Sequence, residues 1–310
     1  MADSTIGVVL MSFGAAATPQ DVPAYLTHVR GTPAPPDLIA EFQRRYRVAG
    51  GSPLLRNTWA QAMALEALLT AEGQRFRVVV GMRHAPPFVD EALARLASEG
   101  VSRVIAVILS PQYSPIIMGG YHRALDRAQS VLGPGCSVRV AGAWHTLPSF
   151  IGGLTRRVQE ALEKYPPDQR HQVPVLMTAH SLPKRVADQE PEYLEQLQQT
   201  AQALAQQAGL DGRRWQFAYQ SAGHTPQEWL TPDIKDLFAS LRAAGHRTVL
   251  VVPIQFLADH LEVLYDIDVA AREQAQEAGI ELRRIESPGV MPELINALAQ
   301  VVQREVIGLS

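Results

Sequence analysis

The chain has 310 residues, of which 46% are hydrophobic and 19% charged, with a formal net charge of −3. That length fits two ordinary domains or one large one, and the balance fits a water-soluble globular protein with a substantial core. Nucleic acid is not an expected partner, because the chain has no dense Lys/Arg run that would form a basic patch.

Eight short apolar runs rich in Val and Ile predict strands at 6–11, 76–80, 104–109, 138–144, 173–177, 215–219, 248–254 and 280–285. Several are apolar at consecutive positions, as strands buried on both faces of a parallel sheet are. Helix-like stretches lie between them. Residues 86–96 carry Phe88, Ala92, Leu93 and Leu96 at helical spacing. Residues 191–210 are rich in Gln, Ala and Leu, and 292–306 closes the chain; each stretch opens on a proline. Alternating strand and helix predicts an α/β, doubly wound fold with parallel sheets.

The two halves echo each other. Val9 to Gly14 resembles Val175 to His180, and Ile108 to Tyr113 resembles Val251 to Phe256. A duplication would give two similar domains with a ligand cleft at the carboxyl ends of their strands. Met11 to Pro111 spans 100 positions against 76 from Met177 to Pro253. The extra length is assigned to an insertion at about 27–55, which holds Arg30, Arg44, Arg45 and Arg47 and the turn Gly50-Gly51-Ser52-Pro53. Its arginines suit an anionic ligand.

One cysteine, Cys136, follows Gly133-Pro134-Gly135, so neither an internal disulfide nor a cysteine-held iron–sulfur cluster is expected. A reducing cytoplasm is the expected compartment. Residues 1–5 do not read as a signal peptide, and no run of about 18 apolar residues predicts a membrane span; peripheral membrane contact stays open. No nucleotide-binding glycine motif, nucleophile elbow or paired-histidine zinc helix is present.

Two strand ends carry chemistry. His180 directly follows a buried run, where an imidazole can bind a metal or take a proton. In the segment from Phe256 to Asp268, Glu262 and Asp266 are four apart and share a helical face, with Asp259 as the expected N-cap. A histidine with a short row of carboxylates is an N/O set suited to a borderline divalent cation, and equally able to accept protons.

With these residues in view, the chain resembles the ferrochelatases from Gly7 to about Val302. The most specific pieces are Ala179 to Pro183, then Gln220-Ser221 with Gly223 and Trp229 to Pro232, and then Asp259 to Asp266. Gly50 to Leu54, Met82-Arg83-His84 and Pro111 to Ser114 add weaker support. The resemblance implies two Rossmann-like, chelatase-type domains at 1–148 and 149–289 around a porphyrin cleft, with a C-terminal helix at 290–310 packing back on the first. It implies Fe²⁺ as substrate with no tightly bound cofactor, His180 and Glu262 as catalytic and metal-facing groups, and Asp266 continuing an acidic track. Porphyrin contacts would come from Phe13, Arg30, Arg45, Ser52, Tyr121 and Trp229, and the protein would act as a monomer.

The compact Gram-positive type is the nearest match, which makes coproporphyrin III the expected substrate and protoporphyrin IX the alternative. That type usually has tyrosine where this chain has Phe13, which offers no donor atom to iron. A further acid often stands where this chain has Ala270; Asp268 and Glu273 are the nearby acids, at a different helical phase. From another class, a tetrapyrrole carrier would need the pocket without the set of His180, Glu262 and Asp266. A cobalt or nickel chelatase would lack the arginine-bearing insertion, and a periplasmic-type binding protein would need an export signal.

Overall fold

The computed structural model describes residues 5–71, 73–132, 135–223 and 226–308; residues 1–4 and Gly133-Pro134 of the sequence reading lie outside them. The chain divides into two compact units, one of residues 1–144 with 289–310, the other of residues 145–288.

The first unit is built on a four-stranded parallel sheet of β1 (Ile6–Ser12), β2 (Phe76–Met82), β3 (Arg103–Ile108) and β4 (Ser137–Val140), in the order β2-β1-β3-β4. β1 is buried along its whole length because a strand lies on each side and helices cover its faces. The helices are α1 (Val22–Arg30), α2 (Pro36–Ala49), α3 (Leu54–Ala71), α4 (Val89–Ser98) and α5 (Pro115–Leu132). α4 turns Val89, Ala92, Leu93 and Leu96 inward, where they meet Val9, Val104 and Leu125. β4, an edge strand, is only half-buried and ends at Val140, short of the stretch to 144 that the apolar pattern predicted.

The second unit repeats the plan. Its parallel strands β5 (Val175–His180), β6 (Trp215–Gln220), β7 (Thr248–Pro253) and β8 (Glu281–Arg284) run in the order β6-β5-β7-β8. The helices of this unit are α6 (Pro148–Glu163), α7 (Lys184–Ala187), α8 (Pro191–Gln207), α9 (Ile234–Ala243) and α10 (Arg272–Glu277). Immediately before α10, residues Glu262–Ala271 wind as a π-helix. The last helix, α11 (Pro292–Ile307), belongs to the first unit and packs on α3 and β3.

The matching strand orders make β5 the counterpart of β1 and β7 that of β3, the same pairs the sequence echoes join. The surplus of the first half falls between β1 and β2. There α1, α2 and the long α3 precede β2, whereas the short α7 and α8 suffice between β5 and β6. α2 ends at Gly50 with φ 75°, and Gly51 follows at φ 100°. Two successive left-handed residues reverse the chain into α3, a path closed to most side chains.

Candidate active site

Each sheet ends in a set of polar or aromatic side chains at its carboxyl edge, where α/β sheets bind ligands. In the second unit β5 runs buried from Val175 to Ala179 and then delivers His180, whose side chain is 30% exposed. Its backbone N–H donates to Gln255 Oε1 at 3.0 Å, and Gln255 in turn donates to the Tyr193 hydroxyl. Beyond it the chain is tied down. Ser181 N–H donates to the Gln220 carbonyl at 2.8 Å, Leu230 N–H to that of Leu182 at 3.0 Å, and Lys184 N–H to that of Glu228 at 2.8 Å. His180 Nδ1 lies 2.5 Å from the Ser181 carbonyl, which can only accept, so Nδ1 carries the hydrogen. Nε2 is the ring nitrogen left to face the site.

Nε2 of His180 stands 3.7 Å from Glu262 Oε2, and Nε2 of a second imidazole, His260, lies at the same distance from the same oxygen. His260 Nδ1 donates to the Ala258 carbonyl at 3.0 Å. Glu262 is thus a carboxylate between two imidazoles. Burial alone would raise its pKa, but the charge of His180 and the charge and hydrogen-bonding reach of His260 outweigh that and bring it down to about 2. Burial presses the His260 pKa down, while Glu262, the Ala258 carbonyl and Asp259 together pull it above the ordinary histidine value. At neutral pH this triplet holds an ionised carboxylate.

The π-helix begins at Glu262. Val263, Ile267 and Ala271 are buried in the core of the unit at a spacing of four, and Glu262, Asp266 and Ala270 form the neighbouring, partly exposed row. Asp259 does not cap this helix, contrary to the sequence reading. Its carboxylate accepts from Ser287 Oγ at 2.5 Å and pairs with Arg284 at 3.2 Å. Asp268 does not extend the acid row past Ala270 either, because Arg284 holds both its oxygens, at 2.9 and 2.8 Å. Among the described residues no group of three or more His, Cys, Asp or Glu is placed to hold a metal ion. His180, Glu262 and Asp266 are therefore not a finished cage; His180 and Glu262 meet, and Asp266 follows four positions along the helix.

Trp229 packs beside the loop after His180, bridging to Pro183. A Cβ on Gly223 would sit 2.5 Å from the Trp229 ring, so only glycine allows that seat. A groove of about 860 Å³ in the second unit, lined by Lys164, Arg247 and Arg283 among others, contains none of His180, His260 and Glu262.

In the first unit Phe13 is 41% exposed just past β1, its ring 4.5 Å from that of His84. The Arg83 guanidinium lies 5.7 Å from the rings of both Phe13 and Tyr121. A Cβ on Gly120 would fall 2.0 Å from Arg83 Cζ, which accounts for Gly120 inside α5 where glycine weakens a helix. Tyr121 is 7% exposed and joins the hydrophobic core, and burial pushes its hydroxyl pKa up. Arg30 is exposed at the end of α1. Arg45 pairs with Glu41 at 2.8 Å, so an anionic ligand would compete with that carboxylate. Among the described residues the buried Ser52 hydroxyl has no hydrogen-bond partner. The sequence reading did not single out His260, Arg83 or Arg284. The first two lay inside quoted motifs, but nothing in a linear pattern marked their side chains as meeting Glu262 or Phe13.

The family model described as ferrochelatase matches residues 5–306. The chain belongs to the ferrochelatase family. Its activity is therefore the insertion of Fe²⁺, a substrate, into a porphyrin. A ferrochelatase of Deinococcus radiodurans is 34% identical over 97% of this chain and 96% of its own length. The coproporphyrin III ferrochelatase of Geobacillus thermodenitrificans is 34% identical over 99% and 98%. That of Bacillus subtilis is 32% identical over 99% of each. Among solved structures, SirB from Bacillus subtilis with Fe³⁺ shares the fold at a TM-score of 0.59 and 10% identity, covering 97% of this chain and 95% of that one. Among the described residues no helix is long and apolar enough to cross a membrane.

Proposed function

We propose that this ferrochelatase acts on coproporphyrin III and that His180 and Glu262 perform the metal-facing and proton-accepting work. The observation that carries the assignment is the approach of two imidazole Nε2 atoms to one carboxylate oxygen at 3.7 Å, at the end of a buried strand. Metallation displaces two pyrrole N–H protons per Fe²⁺. A porphyrin bound bent exposes its nitrogens and resembles the transition state more than the flat ring does, so binding it bent lowers the barrier. Nε2 of His180 and the ionised Glu262 are an N/O pair that can face a borderline cation or take a proton. Asp266 passes protons or metal along the same helix row. Phe13 and Trp229 act as apolar walls.

Arg30, Arg45, Ser52 and Tyr121 are the proposed propionate contacts. A buried hydroxyl without a partner, as on Ser52, is costly and would be satisfied by a carboxylate. Coproporphyrin III carries four propionates where protoporphyrin IX carries two, so a cationic rim favours it. Full-length similarity to relatives named for coproporphyrin III points the same way. The test is anaerobic Fe²⁺ insertion by the wild-type protein, followed by absorbance with the two porphyrins side by side. The expected result is a higher kcat/KM for coproporphyrin III; a higher value for protoporphyrin IX would reverse the substrate assignment.

A further inference from the structure

We infer that Arg284 is a positioning residue for Glu262, acting as a single clamp across the segment that presents it. The inference rests on the assignment of Glu262 above. Arg284 ends β8, the edge strand of its sheet, and its side chain is only 10% exposed. Four of its five N–H donors face an acceptor. Nε donates to Asp268 Oδ1 at 2.9 Å and Nη2 to Asp268 Oδ2 at 2.8 Å. Nη1 donates to the Ile285 carbonyl at 2.8 Å and lies 3.2 Å from Asp259 Oδ1.

The two carboxylates stand on either side of the reactive residues. Asp259 precedes His260 and Glu262, and Asp268 lies six positions beyond Glu262 inside the π-helix. A π-wound stretch is rare and usually a single turn, because its hydrogen bonding is less favourable than that of an α-helix. Ten residues in that form need outside support. The apolar side supplies part of it through Val263, Ile267 and Ala271. Arg284 supplies the rest on the polar side by fixing the separation of Asp259 and Asp268. Rewinding the segment as an α-helix would change that separation and turn Glu262 away from His180. Ser287 Oγ, donating to Asp259, secures the near end of the clamp. Lysine would not serve, because a point charge cannot grip one carboxylate with two parallel bonds while reaching the other.

The test is steady-state Fe²⁺ insertion with Arg284→Gln, Glu262→Gln and the double variant, together with porphyrin binding by fluorescence and thermal unfolding. Displacing a reacting group by about an ångström lowers turnover by up to roughly a hundredfold. Arg284→Gln is expected to lower kcat by about tenfold to a hundredfold, with porphyrin KM and binding within about threefold of wild type. In the Glu262→Gln background the same change is expected to have almost no further effect on kcat, because Arg284 acts through Glu262. Asp268→Asn, which removes the bidentate arm at a partly exposed site, should reproduce the loss and stands in if Arg284→Gln fails to fold. Arg284→Lys should not restore turnover. Losses in kcat that add in the double variant, or wild-type kcat in Arg284→Gln and Asp268→Asn beside an impaired Glu262→Gln, would overturn the inference. Wild-type turnover in Glu262→Gln would instead remove the assignment of Glu262, whatever Arg284 does.

Discussion

His84 shows how far the setting of one side chain departs from what its letter announces. It was legible only as part of the run Met82-Arg83-His84. In the fold it is 8% exposed, its Nδ1 is 3.0 Å from Nδ1 of His28, and Arg83 is its chain neighbour. Burial first, then the charges of Arg83 and His28, lower its pKa to about 4. The folded state therefore binds fewer protons at His84 than the unfolded state between about pH 6.5 and 4. The stability that neutral His84 contributes is full above that window and is lost as pH falls through it. Proton NMR titration should place its midpoint near 4, with unfolding becoming easier across the same window. A midpoint near the ordinary 6.5 would refute the packing described for Phe13, His28 and His84. His180 and Glu262, by contrast, were readable, because a histidine after a buried strand and a carboxylate opening a helical row are linear patterns. His260 was not, since its part comes from where its ring turns.

At the scale of elements, all eight predicted strands are present, and the interior ones were plainest, because runs of Val and Ile buried on both faces leave a clear signature. The helix row of Glu262 and Asp266 was also legible, since i and i+4 remain neighbours. Its π winding was not, because the cause lies in Arg284 and the core residues rather than in the local letters. For the same reason Asp259, well suited to cap a helix by composition, serves an arginine instead. The turn after β6 depends on a contact equally hidden from the sequence, the seat of Trp229 against Gly223. Gly223→Ala puts a methyl 2.5 Å from the ring, and overpacking of this kind costs about 1–3 kcal/mol. The expected result is a lowered Tm with shifted tryptophan emission; unchanged emission and Tm would mean that Trp229 does not pack there.

For the whole molecule, duplication was the most informative reading available from sequence. It is carried by two sheets of the same strand order with β1 and β5 as matching interior strands, β5 ending at His180 and β1 leading into Phe13. The copies then diverge. The first holds α1 and α2 with their arginines between β1 and β2, and where the first has α5 the second has the π-helix with its acids. The order of strands in each sheet could not be read from one sequence, because parallel pairing joins residues far apart in the chain. The catalytic assignment is tested most directly by anaerobic Fe²⁺ insertion with Glu262→Gln and His180→Ala, measured beside porphyrin affinity. Turnover should fall roughly a hundredfold or more in each while the porphyrin still binds, since the roles proposed for both lie with the metal and protons rather than with the ring's rim. Wild-type turnover in either variant would contradict the account.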